Sequence, residues 1–152
     1  MKTFLRAVGL AALLSVCAIS ASAGGRSSTS ARAVVLAFYR LALQEMKPEE
    51  AFKRYGAPGF IEHSQDSAGG DAQATVVFLR RLISSAPHPK WQVIRTVAEG
   101  NMVFVHARYT AAPGAPEIAV AEIFRVQDGK IAEHWDVIGG PPDKVTNSNS
   151  RF

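Results

Sequence analysis

Two hydrophobic patterns divide the chain beyond residue 30. Up to residue 85, apolar residues recur at intervals of three and four, which is the spacing of one face of a helix. Beyond residue 90, short runs rich in β-branched and aromatic residues are separated by turn residues. The first pattern predicts helices and the second predicts strands.

Three helices are predicted from the first pattern. Ser30 is placed to cap a helix over residues 31–46, whose apolar face comprises Val35, Phe38, Tyr39, Ala42 and Met46. Pro48 opens a short second helix, and glycines within residues 56–59 interrupt the chain. Asp71 begins a third helix that ends near residue 85, with an inward face of Val76, Leu79, Leu82 and Ile83.

Four strands joined by short links follow from the second pattern. Asp128 and Gly129 form the clearest link, because an Asp-Gly pair between apolar runs is the strongest short-range signal of a hairpin. Short links imply antiparallel neighbours. Three helices followed by this four-stranded meander predict an α+β fold with the helices on one face of the sheet. The strands span residues 91–98, 102–110, 117–126 and 130–138.

The N-terminus has the anatomy of a secretory signal peptide. Lys2 and Arg6 give a basic start, residues 7–19 are apolar, and Ala23 ends an Ala-x-Ala cleavage pattern. We therefore expect cleavage after Ala23 and export to the periplasm or out of the cell. Behind the cleavage site we expect three segments: a linker over residues 24–30, one domain over residues 31–142 and a polar tail over residues 143–152.

Two alternatives for this segment stay open. Cys17 is a possible lipid-attachment site, although Val16 is bulkier than the small residue expected before it. An uncleaved segment would instead anchor the domain. Cleavage would remove Cys17, the chain's single cysteine, so that the mature protein has neither a disulfide nor a thiol nucleophile.

Charge and hydropathy exclude two classes of partner. The net charge of +4 falls when Lys2 and Arg6 are cleaved off, and the remaining basic residues are scattered, so we expect no nucleic-acid partner. After signal cleavage no segment is long and apolar enough to span a membrane, so we expect no membrane partner either. A small molecule is the expected partner.

Alternation along the strands sorts the candidate chemistry. Glu122 shares one face of its strand with four large apolar residues, which is costly unless the carboxylate is paired or has a function. His106 and Arg108 share a face of the preceding strand, and His134 and Asp136 share a face of the last. In a curved sheet, Glu122, His106 and Asp136 would converge in an apolar pocket, the usual setting of a small-ligand site.

Each of these residues also has a structural interpretation. Glu122 would form a salt bridge with Arg108, and His106 would be a hydrogen-bonded core histidine. His134 would be solvated at a strand end, and Asp136 would cap amides of the next loop. A metal site built from His106, His134 and Asp136 has no supporting spacing motif, and neither a phosphate-binding loop nor a Gly-x-Ser-x-Gly motif occurs.

The chain resembles the SnoaL-like polyketide cyclases. The resemblance rests on Phe38-Tyr39, Pro48-Glu49, the short extended piece at residues 60–63 and above all the hairpin at residues 123–136. That family belongs to the superfamily named after nuclear transport factor 2. The resemblance implies a cone, in which a strongly curved antiparallel or mixed sheet and three helices enclose one deep pocket.

The resemblance also implies an activity and a set of site residues. Family cyclases use no metal or organic cofactor, and an aspartate on the last strand removes a proton next to a carbonyl; Asp136 occupies that position. His106 or His63 would stabilise the enolate. The remaining pocket residues implied are Tyr39, Glu122, Arg108, Phe124 and His134. Homodimerisation through the outer sheet face is implied as well, with Trp135 as a contact.

The sequence and the resemblance are therefore consistent with three functions. The first is an exported, cofactor-free enzyme of the aldol cyclase or isomerase type, acting on an apolar, carbonyl-containing molecule. The second is a non-catalytic module that binds a small apolar ligand in the same pocket. The third is a dehydratase that uses an Asp-His pair.

Overall fold

The computed structural model describes residues 30–152 as three helices and a five-stranded sheet. The predicted signal peptide, Cys17 and nearly all of the predicted linker lie outside the described residues. None of the helices in residues 30–152 is long and apolar enough to cross a membrane. The helices are α1 (Ala31–Tyr39), α2 (Pro48–Tyr55) and α3 (Ala72–Ser85). The strands are β1 (Gly56–Glu62), which lies between α2 and α3 in the chain, and β2 (Lys90–Glu99), β3 (Met102–Thr110), β4 (Ile118–Gln127) and β5 (Lys130–Gly139), which follow α3.

The helices form where the sequence predicts them. The Ser30 side chain accepts a hydrogen bond from the amide of Ala33 at 3.3 Å and caps α1, which continues as a π-helical segment over Arg40–Gln44. The predicted apolar face is buried with one exception. Met46 lies beyond the helical segment with a φ of 58° and is exposed, so its predicted inward position is wrong.

The third helix also follows its sequence signals. The side chain of Asp71 caps α3 by accepting a hydrogen bond from the amide of Ala74 at 2.8 Å. The predicted inward face packs on the core: Val76 is buried, and Leu79, Leu82 and Ile83 are partly buried against it. With α1 and α2, this helix covers the concave face of the sheet.

The sheet is mixed, with the order β1-β5-β4-β3-β2. Strands β2 to β5 form the predicted antiparallel meander, and Asp128 and Gly129 turn the last hairpin with φ values of 50° and 74°. Those positive values are the ones that an Asp-Gly hairpin turn requires. The fold is thus the α+β cone of proteins like nuclear transport factor 2, as predicted.

One strand was predicted only at its end, where residues 60–63 were expected as a short extended piece. Residues 56–59, expected to interrupt the chain, begin β1, which pairs with β5 in parallel from Gly56 opposite Ile131 to Glu62 opposite His134. This pairing brings the end of β1 beside the end of β5. It therefore decides which side chains meet in the site.

The tail beyond β5 has neither helix nor strand, but its end contacts the sheet. A guanidinium nitrogen of Arg151 donates a hydrogen bond to the carbonyl of Gly139 at 2.7 Å. The Phe152 ring lies 4.3 Å from the guanidinium carbon of Arg108. The tail thus covers part of the outer sheet face.

Candidate active site

A cavity of about 300 Å³ lies between the helices and the concave face of the sheet. Most of its wall is apolar, which suits a small hydrophobic ligand. Its polar groups come mainly from the ends of β1 and β5 and from the middle of β4. The aromatic members of the wall are Phe38, Phe52, Phe60, Phe78, Trp91, Tyr109 and Phe124.

Strand pairing brings Glu122, His134 and Asp136 to the same face of the sheet. Directly opposed residues of antiparallel strands point to the same side, and Glu122 is opposite Asp136 while Phe124 is opposite His134. All four line the cavity, so the structure places them where the sequence predicts.

His134 lies between two buried carboxylates. Its Nδ1 is 2.8 Å from Oε1 of Glu62, and its Nε2 is 2.9 Å from Oε2 of Glu122. Burial by itself lowers the pKa of His134, but the hydrogen bonds to Glu122 and Glu62 outweigh it and raise the pKa to about 10. At neutral pH the side chain is therefore an imidazolium held by both carboxylates, and its predicted alternative as a solvated histidine is wrong.

Other groups hold Glu62 in place. Its Oε1 accepts a hydrogen bond from the amide of Ser64 at 2.9 Å, and its Oε2 accepts one from the Thr75 hydroxyl at 3.3 Å. Thr75 lies in the first turns of α3, so this carboxylate joins β1, β5 and α3. The network is buried and each carboxylate has a charged partner, the condition under which buried ions are tolerated.

Of the three cavity carboxylates on the sheet, Asp136 is the most open to a ligand, because Glu62 and Glu122 are buried and paired with His134. It lines the cavity and is half-buried, and in the described part of the chain its carboxylate accepts one hydrogen bond, from the Ser64 hydroxyl at 3.2 Å. Burial raises the pKa of Asp136 against the opposing effects of the His134 charge and the Ser64 hydrogen bond. A carboxylate so placed is a stronger base than an exposed one. Because the Asp136 carboxylate accepts its hydrogen bond from the Ser64 hydroxyl and not from amides of the following loop, the predicted alternative as a loop cap is wrong.

Tyr39 lies beside Glu122, but its side chain is not part of the cavity wall, so its predicted place in the pocket is wrong. Its hydroxyl is buried and makes no hydrogen bond within residues 30–152. Burial, together with the neighbouring charge of Glu122, raises the pKa of this phenol, which is therefore neutral.

The structure does not bring His106 and Arg108 to the cavity. On β3 the residues that face the core are Val103, Val105 and Ala107; because Val105 is opposite Glu122, His106 must point to the outer face. There a guanidinium nitrogen of Arg95 donates a hydrogen bond to Nδ1 of His106 at 3.0 Å. Arg108 forms a salt bridge with Glu117 at 3.2 Å. The predicted convergence of His106 with Asp136 and the predicted Glu122–Arg108 salt bridge are both wrong.

His63 also lies outside the cavity. Residues alternate after Phe60, so that Glu62 and Ser64 face inward and His63 faces outward. Its ring stacks on Trp135 at 4.4 Å, and its Nε2 is 2.9 Å from Oε2 of Glu133. His63 thus belongs to the outer face.

Several polar cavity residues were missed, among them Glu62 and Ser64. The sequence signal of these two is weak: they follow Phe60 at steps of two, the spacing of one strand face. Recognising it requires knowing that β1 joins the sheet beside β5, which residues 56–59 do not suggest.

A metal site is not supported by the arrangement of the described side chains. Within residues 30–152, no group of three or more His, Cys, Asp or Glu residues is arranged to hold a metal ion. The predicted trio of His106, His134 and Asp136 does not assemble, because His106 lies on the opposite sheet face from the other two.

Comparisons with known proteins agree with this architecture. IdmH, a candidate polyketide cyclase from Streptomyces antibioticus, is 18% identical over 72% of this chain and 92% of its own, with a TM-score of 0.61. AclR, a candidate hydroxylase from Streptomyces galilaeus, is 20% identical over 74% of this chain and 91% of its own, with a TM-score of 0.62. At these identities the likeness shows the fold alone. Curated protein sequences give no match.

The family is shown by the sequence itself. A family model described as the SnoaL-like domain matches residues 35–134, which is more than half of the chain. That span runs from α1 to His134 on β5, and of the residues that line the cavity only Asp136 and Ile138 lie beyond it. The chain therefore belongs to the SnoaL-like domain family.

Proposed function

We propose that the protein is an exported, cofactor-free enzyme that removes a proton next to a carbonyl in an apolar small molecule. Asp136 is the general base. The observation that carries the proposal is the position of its carboxylate: in an apolar cavity, bonded to Ser64, with a pKa raised by burial. The similarity to a candidate polyketide cyclase supports this class of chemistry.

The proton transfer involves two side chains. Asp136 takes the proton from the carbon next to the carbonyl, and the electron pair of the broken C–H bond moves to the carbonyl oxygen. As Asp136 becomes a carboxylic acid, the Ser64 hydroxyl turns from it to donate to the enolate oxygen. Ser64 replaces His106 and His63 in this role, because neither histidine lines the cavity.

The enolate then has two possible outcomes. In the first, its carbon attacks a second carbonyl of the same molecule and closes a ring, as in an aldol cyclisation, and the Asp136 carboxylic acid returns its proton to the alkoxide oxygen that forms. Alternatively, Asp136 returns the proton to another carbon and completes an isomerisation. An Asp-His dehydratase is not favoured, because Glu62 and Glu122 occupy both ring nitrogens of His134.

The test is deuterium exchange. In D2O the protein should accelerate the exchange of the acidic α-protons of β-tetralone, followed by NMR, and Asp136→Asn should reduce the acceleration by about a hundredfold or more. Glu117→Gln, which removes a carboxylate outside the cavity, is the control and should retain it. The rate should rise with pH to a plateau, with a midpoint above the ordinary aspartate value of 3.8, because the ionised base is the active form.

The second candidate is a non-catalytic binder of apolar ligands. It is favoured by the mainly apolar wall and by the hydrogen bonds of His134 to Glu62 and Glu122, which leave no ring nitrogen free for proton transfer to a ligand. It predicts that β-tetralone binds but exchanges no faster than in buffer. That result, combined with weaker binding in Asp136→Asn, would replace the enzyme with the binder.

We also propose a homodimer formed through the outer sheet face. Strand pairing places Val97, Phe104, Ile123 and Trp135 in one row across that face. Val97 and Val137 are 63% and 67% exposed there, and together with this row they form an apolar surface of the kind that marks an interface. A second copy that presents the same row would cover them.

A further inference from the structure

The cavity has a one-sided charge distribution. Among residues 30–152, four carboxylates line it, and the single cationic side chain in its wall is His134. No Lys or Arg of the described chain is part of the wall, although the full sequence holds 17 basic residues and only 13 acidic ones. The acidic interior therefore does not follow from the overall composition. The four carboxylates belong to Glu62, Asp66, Glu122 and Asp136.

The His134 charge is already used within the protein. Both ring nitrogens of His134 are hydrogen-bonded, one to Glu62 and one to Glu122, so the ring has no free N–H for a ligand. This leaves Asp136 and Asp66 without a cationic side-chain partner within residues 30–152. A ligand that enters the cavity meets an excess of negative charge.

Aromatic rings complete the environment. Trp91, Tyr109 and Phe78 line the same cavity as the two aspartates. Carboxylates give a cation a counter-charge, and aromatic faces attract it through their quadrupoles. An anionic ligand would lose its hydration and gain no cationic side-chain partner, since the side-chain donors of the described wall other than His134 are hydroxyl groups and the indole N–H of Trp91.

We propose that the ligand of this cavity is an apolar molecule that carries a protonated amine, and that carboxylates, sulfates and phosphates are excluded. The inference rests on the proposed function in that it names the substrate class for the same site. It also answers an electrostatic problem of that function. An enolate formed among carboxylates needs a nearby positive charge, and an ammonium group on the substrate supplies it.

Three probes with one carbon skeleton test the proposal. At pH 7, β-aminotetralin is a cation, β-tetralone is neutral and tetralin-β-carboxylate is an anion. Calorimetric titration of the full protein should show the amine binding at least about fivefold more tightly than the carboxylate. Tryptophan fluorescence of a Trp135→Phe variant, in which Trp91 is the single tryptophan of the sequence, gives a second readout of binding inside the cavity, since the Trp91 ring is part of its wall.

Matched variants assign the preference to the cavity. Asp136→Asn should reduce the preference for the amine by about fivefold or more. Glu117→Gln removes a carboxylate that pairs with Arg108 outside the cavity, and it should leave the preference unchanged. A preference below fivefold, a reversed preference, binding of none of the three probes, or an equal effect of the two variants overturns the proposal.

The outcome is independent of catalysis. If the amine is preferred but β-tetralone exchanges no faster than in buffer, the cation selectivity holds and the proposed enzyme fails. If exchange depends on Asp136 but the carboxylate binds as well as the amine, the enzyme holds and the cation selectivity fails.

Discussion

Nδ1 of His134 lies 2.8 Å from Oε1 of Glu62, across the parallel pairing of β5 with β1. The same ring reaches Glu122 on β4 through its other nitrogen. One imidazolium thus joins three adjacent strands at the polar end of the cavity. Because both carboxylates are buried, removing the cation leaves them facing each other with no positive charge between them.

The first prediction concerns the stability of this network. His134→Asn should lower the free energy of unfolding by about 3–5 kcal/mol, the cost typical of breaking a buried ion pair. Urea denaturation measures the change. His63→Asn, which removes a half-exposed histidine from an ion pair on the outer face, should cost less than about 1 kcal/mol.

A second substitution separates charge from packing. If uncompensated charge destabilises His134→Asn, then adding Glu122→Gln should restore part of the loss, because one of the facing carboxylates is then neutral. Equal stability of the single and double variants, or a cost for His134→Asn no larger than that for His63→Asn, would contradict this account of the network.

The second prediction is a fall in stability with rising pH. The pKa of His134 is about 10 in the folded protein against 6.5 ordinarily, so between these values the folded state binds a proton that the unfolded state has lost. The contribution of the imidazolium is fully present below pH 6.5 and is lost as the pH approaches 10. We expect the free energy of unfolding to fall by roughly a few kcal/mol over this range.

Urea titrations at a series of pH values test the second prediction. The double variant His134→Asn with Glu122→Gln lacks both the titrating ring and one facing carboxylate, so its stability should change much less over the same range. A wild-type stability that is constant or rises between pH 7 and 9.5 would show that His134 is not held as a cation.

The third prediction is that Tyr39→Phe is tolerated. The Tyr39 hydroxyl is buried without a hydrogen-bond partner in the described chain, and it has given up hydration with no compensating bond. Removing it should leave the free energy of unfolding unchanged within about 1 kcal/mol or increase it. A loss above roughly 2 kcal/mol in urea denaturation would indicate that the hydroxyl bonds Glu122 in solution.

Local signals predicted most of the fold, whereas the long-range strand pairing was not predictable. The Asp128-Gly129 turn fixes the last hairpin through residues adjacent in sequence, and Ser30 and Asp71 mark two helix starts in the same way. The pairing of β1 with β5 joins segments far apart in the chain, and Gly56 and Gly59 have low strand propensity. That strand forms because the edge of β5 offers free backbone groups.

Only part of the site was predictable from the sequence, because the side chains meet through strand pairing and not through local spacing. Strand alternation correctly grouped His134 with Asp136, but a period of two does not say which of two faces is inside. On β3 the choice of the His106 face was wrong, although the alternate set of Val103, Val105 and Ala107 is wholly apolar and indicates the core. The pairing of Glu62 with His134 depends on β1 and could not be read from either strand alone.

The fourth prediction concerns the N-terminus. The basic start, apolar segment and Ala-x-Ala pattern ending at Ala23 predict that the mature protein begins at Gly24. Intact-mass measurement of the protein from its native host should give the mass of residues 24–152. Ala23→Tyr should block processing, because the cleavage site requires small residues. A mature chain that begins at Cys17 with added lipid mass would establish the lipoprotein alternative.

The fifth prediction tests the proposed homodimer. Sedimentation velocity of the wild type should give the mass of two chains, and Val137→Glu should give one chain, because a charge placed in the outer face would be buried between the copies. Val145 is 75% exposed beyond the last strand, so Val145→Glu is a control of equal chemistry that should remain dimeric. Thermal unfolding at similar temperatures would confirm that both variants fold. A wild-type protein with the mass of one chain at its highest soluble concentration would exclude the homodimer.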